Sequence, residues 1–124
     1  SGEFMRILFV CVGNTCRSQM AEGWAKHLGF EAASAGTSTN QRKVAPNAVT
    51  VMAEKGIDIG EQYPKHIDDV DVSLYDLIFS MGCGVYCPNL PLNGDWELDD
   101  PFGQELDAYR KTRDEIERRI RELL

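Results

Sequence analysis

The chain lacks any hydrophobic run that could cross a bilayer. Its opening apolar segment, Ile7-Leu8-Phe9-Val10, is a fraction of the roughly 20 residues a spanning helix needs. It also lacks positive charge in excess: 13 Lys and Arg stand against 20 Asp and Glu, a net −7, which disfavours nucleic acid and anionic membranes as partners. Only two histidines occur. His27 falls on the polar side of a helical pattern and His66 in a polar loop, so both read as solvated surface, with no metal-site spacing. Repeats and low-complexity tracts are missing, and no export signal is recognisable. Four cysteines therefore point to a reducing, cytoplasmic setting in which thiols do chemistry instead of forming a disulfide framework. Ser1, Gly2, Glu3 and Phe4 read as an expression-tag remnant before a native Met5. Residues 5–124 then form a single domain, long enough to bury a core without staples.

What is present is concentrated between Val10 and Ser18. The apolar run of residues 6–11 has the pattern of a strand covered on both faces in a parallel sheet, and it ends at Cys11. A loop of Val12, Gly13, Asn14, Thr15 and Cys16 follows, then Arg17, Ser18 and an amphipathic stretch. A strand, a Gly-containing turn and a helix start place the thiol where unpaired backbone amides converge, a concavity that favours anions. The same field favours thiolate over thiol. Arg17 adds a planar fork of donors suited to a tetrahedral oxyanion. Gly13 permits a ring-shaped loop, Asn14 can brace it, and Ser18 can donate its hydroxyl to Cys11. The alternative, a Cys11 that is simply a small buried hydrophobe, leaves Arg17 and Ser18 without a role.

Periodicity supplies the rest. Met20, Ala21, Trp24, Ala25 and Leu28 share one face of a helix beginning near Gln19 and stopping at Gly29. Residues 30–35 read as a second strand, and 37–44 as a polar loop. A helix starts at Pro46 and runs to Gly56 with Ala48, Val49 and Met52 inward. Residues 63–71 read as irregular, 76–81 as a third strand, and 82–100 as mostly loop with a short strand near Trp96. A C-terminal helix over residues 109–124 carries Tyr109, Ile116, Ile120 and Leu123 inward and its charges toward solvent. Alternating strands and helices predict a three-layer α/β/α sandwich with a four-stranded parallel sheet and an anion-binding loop after the first strand. Ligands in such sheets bind beyond the carboxyl ends of the strands, where Cys11, Cys83 and Asp100 can meet.

The cysteines come in two close pairs, Cys11 with Cys16 and Cys83 with Cys87. A four-cysteine zinc site is the bland reading, but Cys11 ends a strand instead of sitting in a knuckle, so no metal is expected. Cys16 reads as a packing residue, or as a partner able to protect Cys11 in a reversible disulfide. Asp99 and Asp100 stand before Pro101, which restricts the backbone of Asp100 more than that of Asp99.

The segment Cys11-Val-Gly-Asn-Thr-Cys-Arg-Ser18 closely resembles the phosphate-binding loop of low-molecular-weight protein tyrosine phosphatases. The run from Gln19 to Trp24 is similar to that of the arsenate reductases sharing their fold, as are Ser34-Ala35-Gly36, the Cys83 and Cys87-Pro88 region, and Trp96 with Asp99-Asp100-Pro101. The resemblance implies that Cys11 attacks an oxyanion bound by residues 12–17 while Asp100, with Asp99 its rival, acts as general acid and protonates the departing oxygen. It further implies arsenate as substrate, with phosphate and sulfate as mimics. Cys83 would then attack the Cys11 sulfur, and Cys87 would leave a Cys83–Cys87 disulfide for an external reductant. The Cys83–Cys87 spacing is shorter than in thioredoxin-linked members, and its context is also similar to members using a small thiol such as mycothiol with a redoxin. Both routes stay open, with no bound cofactor. A phosphatase acting on aryl phosphates, with Tyr86 near its substrate, and a non-catalytic oxyanion module are the competing readings. Asn14, Glu22 and Ser34 match a potassium site of some relatives. Lys65 replaces an acidic ligand there, so its ammonium is expected in the cation's place.

Overall fold

The computed structural model describes residues 5–82 and 91–124. The sheet has four parallel strands in the order β2-β1-β3-β4. They are β1 (Arg6–Cys11), β2 (Glu31–Gly36), β3 (Leu77–Ser80) and β4 (Gly94–Asp95). β1 is central, and residues 7–11 are buried. Its odd and even positions feed two separate cores. Ile7, Phe9 and Cys11 join a large cluster with α1 (Arg17–His27), α2 (Pro46–Ala53) and α3 (Leu106–Arg121), through Met20, Trp24, Met52, Ile116 and Ile120. Leu8 and Val10 meet Ala35 and Ile78 on the opposite face, covered by Ile67, Val70 and Val72. Burial on both sides of β1 is why its sequence is uninterruptedly apolar. The layers are those of an α/β/α sandwich. Among the described residues the second cover consists of two 3₁₀ turns, Ile67–Asp69 and Val72–Leu74.

Each predicted element is present, with shifted ends. α1 begins at Arg17 instead of Gln19, because Cys16 accepts the first helical bond from the Met20 amide. α2 ends at Ala53, short of Gly56, which closes the following turn at φ +74°. α3 begins at Leu106, before Tyr109. The short strand is Gly94–Asp95, just ahead of Trp96, whose ring packs 4.9 Å from Phe79.

Two surface expectations need correction. Arg113 of α3 is 5 % exposed; its Nη1 donates to the Val51 carbonyl at 2.9 Å and to Glu54 at 2.7 Å, tying α3 to α2. Its neighbours do form the expected solvent-facing pairs, such as Arg121 with Glu117. His66 is half-buried, not solvated. It bridges to Gly36 at the end of β2, accepts the Asp68 amide on Nδ1 at 3.0 Å, and lies with Nε2 3.2 Å from the Thr37 carbonyl.

Candidate active site

β1 delivers Cys11 to the carboxyl edge of the sheet, and the chain folds back over it. A cleft of about 340 Å³ opens there, lined by residues 11–17 and, from other segments, by Ser38, Asn40, Gln41, Asp100 and Phe102. Cys11 Sγ lies 2.8 Å from Ser18 Oγ and accepts the Asn14 amide at 3.0 Å. The Asn14 amide is thus spent on sulfur and not on a bound oxyanion. The amides of Gly13, Thr15 and Cys16 donate to none of the described residues, and Cys16, the N-cap of α1, makes no side-chain cap bond. Free amides and an uncapped helix start leave positive potential at the cleft floor.

Asn14 holds this geometry together. Its φ of +56° is left-handed, a region Asn tolerates better than most residues. Its Nδ2 donates to Ser18 Oγ at 2.7 Å, occupying a lone pair and leaving the hydroxyl proton free to be given to the sulfur 2.8 Å away. Its Oδ1 accepts the Lys65 amide at 2.9 Å, and its carbonyl accepts Gln19 Nε2 at 3.0 Å. Gln19, fully buried, also donates to the Tyr63 carbonyl at 3.0 Å and accepts from Gln62 at 2.8 Å. Neither Gln19 nor Gln62 is singled out by the sequence motif. The only signal for Gln19 is an amide beside the apolar stripe of α1.

Arg17 is 6 % exposed. Its Nη1 donates to the Met81 carbonyl at 2.8 Å and the Leu98 carbonyl at 2.9 Å. The opposite side of the fork is turned toward the cleft, where Nη2 lies 3.6 Å from Asp100 Oδ2. A side chain at position 82 would block this arrangement: a Cβ on Gly82, whose φ is +121°, would sit 2.8 Å from Nη1. Gly36 meets a similar constraint, since a Cβ there would lie 2.5 Å from the Val12 carbonyl oxygen.

Asp100 lines the Cys11 cleft with its carboxylate about half exposed. Its rival Asp99 borders a different groove along α3. Cys16 turns inward, with Sγ 3.5 Å from the Tyr109 hydroxyl. Burial pushes its thiol above the ordinary value, partly offset by that hydrogen bond. Cys83, Tyr86 and Cys87 lie outside the described residues.

The cation-site residues are arranged differently from the expectation. Glu22, 4 % exposed, accepts Ser34 Oγ at 2.6 Å and Lys26 Nζ at 2.6 Å. Lys26, one helical turn on, neutralises Glu22, and not Lys65. The Lys65 ammonium sits 4.8 Å from the centre of the Tyr63 ring, and burial lowers its pKa against the pull of Glu22. With Asn14 Oδ1 taken by an amide and Glu22 by an ammonium, the donor set does not fit an alkali cation.

Comparison with known proteins agrees with this geometry. The chain is 38% identical over 125 residues to a glutaredoxin arsenate reductase of Synechocystis sp., covering 96% of this chain and 95% of that one. It is 40% identical over 118 residues to an arsenate reductase of Staphylococcus aureus, covering 89% and 88%. A solved arsenate reductase in its phosphate-binding state superposes with a TM-score of 0.86 at 40% identity, over 97% of this chain and 96% of that one. No helix among the described residues is long and apolar enough to cross a membrane. The profile of the low molecular weight phosphotyrosine protein phosphatases matches residues 6–124, and the chain belongs to that family.

Proposed function

We propose that this chain reduces arsenate to arsenite with electrons supplied by thiols. Cys11 Sγ attacks arsenic, and an arsenate oxygen leaves as water on a proton from Asp100. Residues 12–17 hold the remaining oxygens, with Nε and Nη2 of Arg17 facing them. A second thiolate then attacks the Cys11 sulfur. A sulfur–sulfur bond forms, the sulfur–arsenic bond breaks with its electron pair kept by arsenic, and As(V) leaves as As(III). Cys83 is the in-chain source of that thiolate, with Cys87 freeing Cys11 afterwards. Thioredoxin, or a small thiol such as mycothiol with its redoxin, returns the enzyme to the dithiol state.

The observation that carries this reading is the Ser18 hydroxyl 2.8 Å from Cys11 Sγ, beside an amide aimed at the same atom. Both stabilise a nucleophilic sulfur at the floor of an anion cleft. Arsenate reductases at about 40% identity over most of their length point to the substrate. Gly82, which adjoins Cys83 in the chain, lies against Arg17.

The test is a thiol count before and after one equivalent of arsenate, with no external reductant. Loss of two thiols as arsenite forms, prevented by Cys83→Ala, supports the relay. Unchanged thiols, with turnover appearing only when a small thiol is added, would remove the relay and leave arsenate reduction standing. The same nucleophile and acid also suit hydrolysis of aryl phosphates, with Phe102 at the cleft mouth. Release of p-nitrophenol from its phosphate, abolished by Cys11→Ser, measures that side activity.

A further inference from the structure

Each amide of the nucleophile loop shares a rigid plane with the carbonyl of the residue before it. In a trans peptide the two point in opposite directions, so a carbonyl anchored from outside the loop turns the following N–H toward the cleft. The Val12 carbonyl accepts the Ser38 amide at 2.9 Å, which turns the Gly13 N–H inward. The Thr15 carbonyl accepts the Ala45 amide at 2.9 Å, which does the same for the Cys16 N–H. Between them the Asn14 carbonyl accepts Gln19 Nε2 at 3.0 Å. The outer two anchors are backbone groups, whereas the one that governs the Thr15 N–H is a side chain.

Gln19 lies on the first turn of α1 and is fully buried. An amide taken wholly out of water has to be paired, and every polar atom of this one is. Nε2 donates to the Asn14 carbonyl and to the Tyr63 carbonyl, each at 3.0 Å. Oε1 accepts Gln62 Nε2 at 2.8 Å, and the same nitrogen donates to the Gln19 carbonyl at 3.0 Å. Turning the amide over would set Oε1 against two carbonyl oxygens and Nε2 against a donor, so its orientation is fixed. The sulfur stands outside this network. Its amide donor, Asn14 N–H, belongs to the Gly13–Asn14 plane, to whose carbonyl Gln19 makes no bond.

We infer that Gln19 is a positioning residue for the oxyanion: through the Asn14–Thr15 peptide it aims the Thr15 amide at a bound oxygen. The sulfur is left to Asn14 and Ser18. A donor held in place before the oxyanion arrives costs no reorganisation when charge is bound or developed there. The inference rests on the arsenate reading only for the identity of the oxyanion.

The probe is inorganic phosphate, titrated into the reduced full chain and followed by calorimetry and by the amide NMR signals of Gly13, Thr15 and Cys16. In the wild type all of these signals move on binding. Gln19→Met, similar in length and apolar, raises the phosphate Kd about tenfold. It also abolishes the Thr15 response while Gly13 and Cys16 still respond. Alkylation of Cys11 by iodoacetamide, which reads the sulfur and not the amides facing the oxyanion, stays within about twofold of wild type. An unchanged Kd with a normal Thr15 response would overturn the inference. Loss of every response together with altered alkylation would do so too, since it marks a loop that has come apart. Gln62→Leu, at a partly exposed position, releases only the outer partner of Gln19 and serves if Gln19→Met does not fold. There the Thr15 response shrinks more than that of Gly13, and equal shrinkage would overturn the inference. Absence of arsenite from the wild-type enzyme with any thiol would defeat the arsenate reading and leave the phosphate result standing.

Discussion

Asn14 is the residue whose replacement is most informative, because stability and chemistry pass through the same side chain. Asn14→Ala removes the Nδ2 bond to Ser18 and the acceptor for the Lys65 amide. The first costs about 1 kcal/mol and the second, by leaving a partly buried N–H unpaired, about 1–2 kcal/mol. Alanine at a φ of +56° adds about 1 kcal/mol that glycine does not pay. Unfolding free energy should therefore fall by about 3–4 kcal/mol in Asn14→Ala and by about 1 kcal/mol less in Asn14→Gly. Both variants lose the orientation of the Ser18 hydroxyl toward sulfur. A hydrogen bond to a charged partner contributes about 1.5–3 kcal/mol, so kcat should fall roughly 10- to 100-fold in each. Urea unfolding and initial rates of arsenite formation, measured on the same preparations, separate the two effects. Equal stability of the alanine and glycine variants would refute the backbone term. An undiminished kcat in either would refute the role given to Asn14 in aiming the hydroxyl.

Gly82→Ala should weaken phosphate inhibition at least tenfold, since the new Cβ would sit 2.8 Å from Arg17 Nη1 and push the guanidinium out of place; inhibition equal to wild type would show that Arg17 does not hold the oxyanion through this geometry. Arg110, and after it Arg113, hold the Glu54 carboxyl down to about 2. That pairing stabilises the fold above the ordinary carboxylate value of 4.5 and is lost as pH falls toward about 2. Glu54→Gln is thus less stable than wild type at pH 7, and the two melting curves converge on acidification; a gap that persists at pH 2 contradicts this. Exchanging sodium for potassium at constant ionic strength should leave the melting temperature unchanged, because Lys26 and Ser34 already satisfy Glu22; a potassium-dependent rise would contradict the assignment. Iodoacetamide at pH 7, followed by peptide mapping, should modify Cys11 and spare Cys16, whose thiol faces Tyr109 inside the core; comparable labelling would show that the Cys16 thiol opens to the cleft.

The sequence alone determined the strand, loop and helix around Cys11, because that information is local. A doubly buried strand must be apolar throughout, and a loop at a helix start must carry glycine, asparagine and small polar residues to close around an anion. It also named Cys11, Arg17 and Ser18, residue types that this chemistry demands at a fixed spacing, and, through the family resemblance, Asp100. Tertiary packing decided what comes together across the chain. It put Asp100 in the cleft and Asp99 outside it, gave Glu22 to Lys26 and not to Lys65, and buried Arg113 against α2. It also set Gly82 against Arg17 and brought residues 40–43 alongside Phe102. Those outcomes depend on contacts between segments tens of residues apart, and periodicity within a segment carries no record of which distant backbone will lie alongside it.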